Sequence, residues 1–255
     1  MFSVNHRYKM GFVHLQDLYY AREIQVDPAG YDAVYYYHCQ QPIHQAKTFT
    51  TLLVDLSPSP KEILTSFRKS TRAEIKKTLK EDTIIFDFQA APSQEELLQF
   101  ISRYNDFANK KGIAQCNQML ISHIRNTQKL VLASAIYHER VICQFILIDA
   151  GEKMVVYYGY NVRFQNDGEK VNDKVISGAN RALEYQCMLF AKDAGKKHYD
   201  LCGLTLDSED TSAGNVDQYK LGFRGEIVTE YHFMKAITMK GKIFCWLKQT
   251  GGGIG

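Results

Sequence analysis

The hydrophobic pattern is most legible between Asn172 and Gly225. Ala179, Ala182, Leu183, Cys187, Phe190, Ala191 and Ala194 fall at i, i+3, i+4, i+8, i+11, i+12 and i+15, one apolar stripe that predicts a helix over 175–194. Gly195 and the basic pair Lys196 and Lys197 are the residues that helix C-termini prefer. A short apolar strand over 199–204 follows, then a polar loop over 207–215, and a short helix over 219–225 closes the unit.

Upstream the pattern alternates between strands and helices. A strand over 31–38 follows the turn signal Pro28, Ala29, Gly30, and a second spans 48–56. The remainder of the first fifty residues gives little signal. Ser57 to Pro60 break the chain and start a helix over 61–80, with Leu64, Phe67, Ile75 and Leu79 as its buried stripe. Arg68, Arg72, Lys76 and Lys80 share another face at i+4 steps, with Lys69 and Lys77 beside them. That row is either a solvated face or an anion-binding face. A strand over 83–88 precedes Ser93 and Glu96, a capping box, and a helix carrying Leu97, Phe100, Ile101, Tyr104, Phe107 and Ala108 that Gly112 ends. A helix over 118–125 leads to strands over 129–137, 141–149 and 154–161, whose short turns predict an antiparallel meander. A last strand spans 226–237, and 251–255 are expected to be disordered. The order predicts an α/β fold: a mixed but mostly antiparallel central sheet with helices on both faces.

Composition narrows the class. At 255 residues and 45% hydrophobic the chain can bury a substantial core. A net charge of +3 does not by itself imply a nucleic-acid binder, and no DNA partner is expected. The six cysteines, Cys39, Cys116, Cys143, Cys187, Cys202 and Cys245, show no C-x-x-C spacing, and the histidines no metal-ligand spacing. Reduced thiols and no metal are the expectation. The first twenty residues lack the apolar core of a signal peptide, and no stretch reaches membrane-helix length. A cytoplasmic location with at most peripheral membrane association is expected.

Gly178, Asn180, Gly195, Asp200, Gly203, Lys220, Phe223 and Gly225, in this order and spacing, resemble the C-terminal half of the FemAB-like acyltransferases, a branch of the GNAT N-acyltransferase superfamily. Val54-Asp55-Leu56 and the step Arg72, Ile75, Lys76, Lys77 are similar as well. Arg224 departs, because the family most often has a second glycine there. The resemblance implies an N-terminal extension over 1–47, an acyltransferase domain over 48–240 and a tail over 241–255. It implies transfer of an acyl group from a bound donor, acyl-CoA or acetyl-CoA, to a small-molecule amine such as an amino sugar or cell-envelope precursor. Two alternatives stay open: an aminoacyl-tRNA-dependent transferase acting on a peptidoglycan precursor, and a GNAT-fold module that binds without catalysis.

Acyl transfer needs an oriented donor and amine, a group to stabilise the oxyanion and a route for the proton. Carried onto this chain, the resemblance gives Lys220 as oxyanion or phosphate binder, Tyr219 as proton donor to the leaving group and Asp200 as orienting group. Gly178, Ala179 and Asn180 would present a helix N-terminus to the donor's phosphates, and Arg72 and Lys76 would add charge. The acyl-CoA signature itself is broken, with Val175 where Arg or Gln is expected and Asn180 where Gly or Ala is expected. Tyr157, Tyr158 and Tyr160 alternate, so one set faces the core and the other is available to a cleft.

Overall fold

A computed structural model describes residues 4–24, 30–44, 46–164, 170–206 and 211–250. In chain order the first elements are β1 (Val4–Met10), β2 (Val13–Tyr19), β3 (Ala33–Cys39), β4 (Lys47–Asp55), α1 (Pro60–Ser66), α2 (Lys69–Glu81) and β5 (Ile84–Ala90). Then come α3 (Gln94–Lys111), α4 (Gln118–Asn126), β6 (Leu130–Tyr137), β7 (Arg140–Ala150), β8 (Lys153–Asn161) and α5 (Asp173–Asp193). The last are β9 (His198–Leu204), α6 (Thr211–Leu221), β10 (Glu226–Ala236) and α7 (Met239–Thr250). Two compact units result: Met1–Thr51 with Val228–Gly255, and Leu52–Ile227.

In the first unit β1 and β2 form an antiparallel hairpin, β2 runs parallel to β3, and β3 is antiparallel to β10. The hairpin escapes a reading of hydrophobicity because His6, Arg7, Lys9, His14, Gln16 and Asp17 interrupt its alternation. Gln16 and Asp17 are nevertheless buried. Helix α7 packs on β2 and β3. It is additional to the elements predicted for the end of the chain.

In the second unit the strand order is β4-β9-β8-β7-β6-β5. The meander β6-β7-β8 is antiparallel as predicted, and β5 joins it antiparallel. The sheets are mixed: β2-β3 and β8-β9 are parallel among antiparallel pairs. The physical reason at β8-β9 is the connection: a strand that returns through a helix, here α5, comes back in the same direction.

The helix predicted over 61–80 is two helices. Phe67 and Arg68 are extended, with ψ 157° and 144°, because Phe67 turns into the core against Tyr185 and Phe223. Arg68 caps α2 and gives its N–H to the Gly222 carbonyl at 2.9 Å, so the basic row is broken at its first member. The Ser93–Glu96 capping box is formed and Gly112 ends α3 at φ 66°. Part of the predicted polar loop, 211–215, is the first part of α6. Residues 207–210, the predicted turn at 28–29 and the predicted tail at 251–255 lie outside the described residues.

Helix α5 is the spine of the second unit. Ala179, Ala182, Leu183, Cys187 and Ala191 are completely buried, and the helix packs on β5 through β9. Phe190 is half-buried and stacks on Phe88 at 4.8 Å. Gly178 lies where α5 meets α2, so close to Thr78 that a Cβ would collide with its hydroxyl.

Candidate active site

A cleft of about 750 Å³ opens where β8 and β9 part. These strands pair only over Lys153–Val155 and His198–Asp200. Beyond that point each is deflected. Tyr157 is the extra residue of a bulge in β8 against β7, and a bulge bends its strand. Cys202 takes a left-handed φ of 59° in β9, a conformation a non-glycine residue holds only when its surroundings enforce it. Asp200 enforces it: its Oδ1 accepts the Cys202 N–H at 2.8 Å, while its Oδ2 is held by the buried Lys153 ammonium at 2.6 Å. The diverging edges, 156–161 and 201–203, form two walls of the cleft.

The third wall is a face of α5. Ser177, Asn180, Arg181 and Glu184 are spaced i, i+3, i+4 and i+7 and all line the cleft. Glu184 is 3% exposed. Burial pushes its carboxyl up to about 7, while hydrogen bonds from Tyr199 and Tyr219 and the charge of Lys220 pull it back. The Tyr199 hydroxyl donates to Glu184 Oε1 at 2.7 Å and the Tyr219 hydroxyl lies 3.2 Å from Oε2. The Asn180 amide donates to Tyr219 Oη at 2.8 Å. Burial, with Glu184 beside it, holds the Tyr219 hydroxyl far above its ordinary range, so it keeps its proton. Arg181 lies over the Tyr219 ring at 5.2 Å and pairs with Glu74 of α2 at 3.1 Å.

Helix α6 brings in Tyr219 and Lys220. Its footing is Asp217, whose buried carboxylate accepts from the N–H groups of Thr205 and Leu206 and from the Thr205 hydroxyl at 2.8–3.2 Å. Lys220 lines the cleft and gives Nζ to the Gly203 carbonyl, an oxygen on the wall formed by β9. Behind it Phe223 is fully buried against Phe67 and Tyr219. A Cβ on Gly225 would meet the backbone of Leu53, so only glycine fits there. The rim is apolar and basic: Phe107, Ile113, Phe164 and Val216 with Lys111 and Arg163.

Of the site residues read from sequence, Lys220, Tyr219 and Asn180 meet in this cleft. Asp200 is not among its lining residues and holds the bend of β9 from behind. Helix α5 starts earlier than the predicted 175, with Asn172 as its cap accepting from the Lys174 N–H. Gly178 and Ala179 therefore lie inside the helix and are buried in packing, not at a free N-terminus. Arg72 and Lys76 stand on α2 outside the lining, and Arg72 gives a hydrogen bond to the Thr65 carbonyl at 2.6 Å. All three tyrosines of β8 reach the lining, because the bulge breaks their alternation. Tyr160 anchors on Gln144 and Tyr158 accepts the Asn117 N–H. Glu184 was missed. Its signal was available as a polar stripe, Ser177, Asn180, Arg181, Glu184, running beside the apolar one on the same helix.

No family model matches the chain, and no curated protein does. Solved structures do. FemX shares 11% identity at a TM-score of 0.63, over 96% of this chain and 85% of that one. L-PGS from Bacillus licheniformis shares 11% at 0.54, over 99% and 87%. The C-terminal domain of the protein named lysylphosphatidylglycerol synthetase in Agrobacterium fabrum shares 11% at 0.52, over 99% and 91%. At that identity the likeness is one of fold, and a fold shared with FemX accords with the FemAB-like resemblance of residues 172–225.

Proposed function

We propose that the cleft transfers an acyl or aminoacyl group from an activated donor to an amine, with Glu184 as general base. The observation that carries this reading is a carboxyl whose affinity for protons is tuned to about 7 on the wall of an open cleft. A base works best when its pKa lies near the working pH. In the step envisaged, the amine nitrogen attacks the donor's acyl carbon. A C–N bond forms, and the bond from that carbon to the donor's sulfur or oxygen breaks. The amine's proton goes to Glu184. Tyr219 protonates the leaving sulfur or oxygen and is reprotonated by Glu184, 3.2 Å away. Lys220 stands at the β9 wall, on the Gly203 carbonyl, where an ammonium favours charge developing on the donor's carbonyl oxygen.

The apolar, basic-rimmed mouth suits an acyl chain or pantetheine arm carried by a phosphate-bearing donor. Acyl-CoA is the donor we favour, and aminoacyl-tRNA is the second candidate that the FemX-like fold supports. A non-catalytic binding role is disfavoured by the tuned carboxyl, which simple binding does not need. A thermal-shift panel of acetyl-CoA, longer acyl-CoAs and a charged tRNA distinguishes the donors, because only a bound donor raises the melting temperature. With the donor in hand, Glu184→Gln is expected to lower kcat by about 10²–10⁴-fold. Wild-type kcat/KM should rise with pH through about 7, since a protonated Glu184 cannot accept. Undiminished turnover in Glu184→Gln removes it from the reaction.

A further inference from the structure

Helix α7 presents an exposed apolar face. Met239, Ile243, Trp246 and Leu247 are 69%, 58%, 61% and 54% exposed. At 100° per residue the four share an arc of about 100°. Lys242 flanks it on the Trp246 side and Lys240 on the Leu247 side, and both are exposed. The opposite side is anchored. Phe244 and Cys245 pack against Val13, Leu15 and Ala33. The backbone at Gly241 lies so close to Asp32 that no Cβ fits between them. Thr238 donates to Asp32 Oδ1 at 2.6 Å and accepts the Gly241 N–H at 3.2 Å. The outward direction of the apolar arc is therefore set by packing.

We infer that α7 is an interfacial helix that docks the protein on an anionic lipid surface. Charge and length favour lipid as the partner. Between Tyr231 and Gly255 there are four lysines, Lys235, Lys240, Lys242 and Lys248, and no Asp or Glu. Lysines on both edges of an apolar arc extend their ammonium groups to lipid phosphates while the arc enters the acyl boundary. Against a second copy the same lysines would face one another. A helix of 12 residues also gives less than two heptads, too short a seam for a paired helix. Among the described residues no helix is long and apolar enough to cross a membrane, so α7 lies in the interface plane.

Trp246 is the only tryptophan in the chain, so its emission reports on this face alone. On adding the full-length protein to vesicles containing phosphatidylglycerol at low salt, the emission shifts to the blue and becomes resistant to acrylamide quenching. Vesicles of phosphatidylcholine alone give a much smaller change, and salt reverses the effect. Lys240→Ala with Lys242→Ala weakens partitioning by about 30-fold, at about fivefold for each lysine near a charged surface. Ile243→Ser with Leu247→Ser keeps the reporter and abolishes the shift, its fold checked by circular dichroism. Unchanged emission with anionic vesicles overturns the proposal. So does emission already blue-shifted without vesicles together with a mass that grows with concentration, which would make this face a self-association surface.

Discussion

Arg224 sits at a left-handed φ of 51° on the exposed link between α6 and β10. A Cβ in this conformation costs roughly 1–2 kcal/mol, which a glycine at this position, as in the family that the chain resembles, would avoid. Part of that cost is offset by the extra freedom a glycine gives the unfolded chain. Arg224→Gly is therefore expected to stabilise by about 0.5–1 kcal/mol in denaturant unfolding, and a loss of stability would mean that the guanidinium has work of its own. Lys220 is a different case, because its ammonium already holds the Gly203 carbonyl. Lys220→Ala should cost about 1 kcal/mol for that bond. If Lys220 stabilises the oxyanion, kcat should also fall by about 10²–10³-fold, whereas a pure positioning role would show in KM. Both residues were legible in the sequence through the order Lys220, Phe223, Gly225. Glu184 was legible only as one member of a polar stripe, because a carboxylate one position outside an apolar stripe looks like the solvated edge of an amphipathic helix until its burial is known.

Among the elements, α5 was read almost completely, because its apolar stripe faces one sheet and obeys a single period. Its residues differ in depth all the same. Leu183 is fully buried, whereas Phe190 is half-buried on Phe88. Leu183→Ala should cost about 2–5 kcal/mol, and Phe190→Ala should fall below the 3–5 kcal/mol of a fully buried phenylalanine. Equal losses in thermal unfolding would show that the Phe88–Phe190 stack is more protected than its exposure suggests. The break between α1 and α2 was hidden, since Phe67 fits a helical stripe and neither Gly nor Pro marks the interruption. The packing of Phe67 against Phe223, distant in sequence, imposes the extended residues. The parting of β8 from β9 was equally hidden. It arises from a bulge at Tyr157 and from a strained Cys202 whose cause is the Asp200–Lys153 pair, none of which has a local pattern. The β1-β2 hairpin was missed because its polar residues, Gln16 and Asp17, are buried rather than solvated.

Across the whole molecule, each compact unit holds, among the described residues, one carboxyl whose proton affinity burial raises. In the first unit, burial raises Asp17 from 3.8 to about 6, opposed by the hydrogen bond from Tyr8. In the second, burial raises Glu184 from 4.5 to about 7. For both groups the folded state binds the proton more tightly than the unfolded chain. Stability is therefore full at pH values below the unfolded pKa and is lost as pH rises, from about 4 to about 6 for Asp17 and from about 4.5 to about 7 for Glu184. Between pH 5 and pH 8 the loss should be about 1 kcal/mol for Asp17 and about 2–3 kcal/mol for Glu184. Asp17→Asn and Glu184→Gln each remove one titration while keeping an oxygen to accept from the neighbouring tyrosines. Relative to wild type, each variant should gain more stability at pH 8 than at pH 5. The two share no hydrogen-bond or ion-pair partner among those described, so the gains should add to within about 0.5 kcal/mol in the double variant. Denaturant midpoints of the four proteins at the two pH values measure this directly. If Glu184→Gln gives the same change in stability at both pH values, the carboxyl titrates normally in the folded protein, and its assignment as a base tuned to neutrality fails with it.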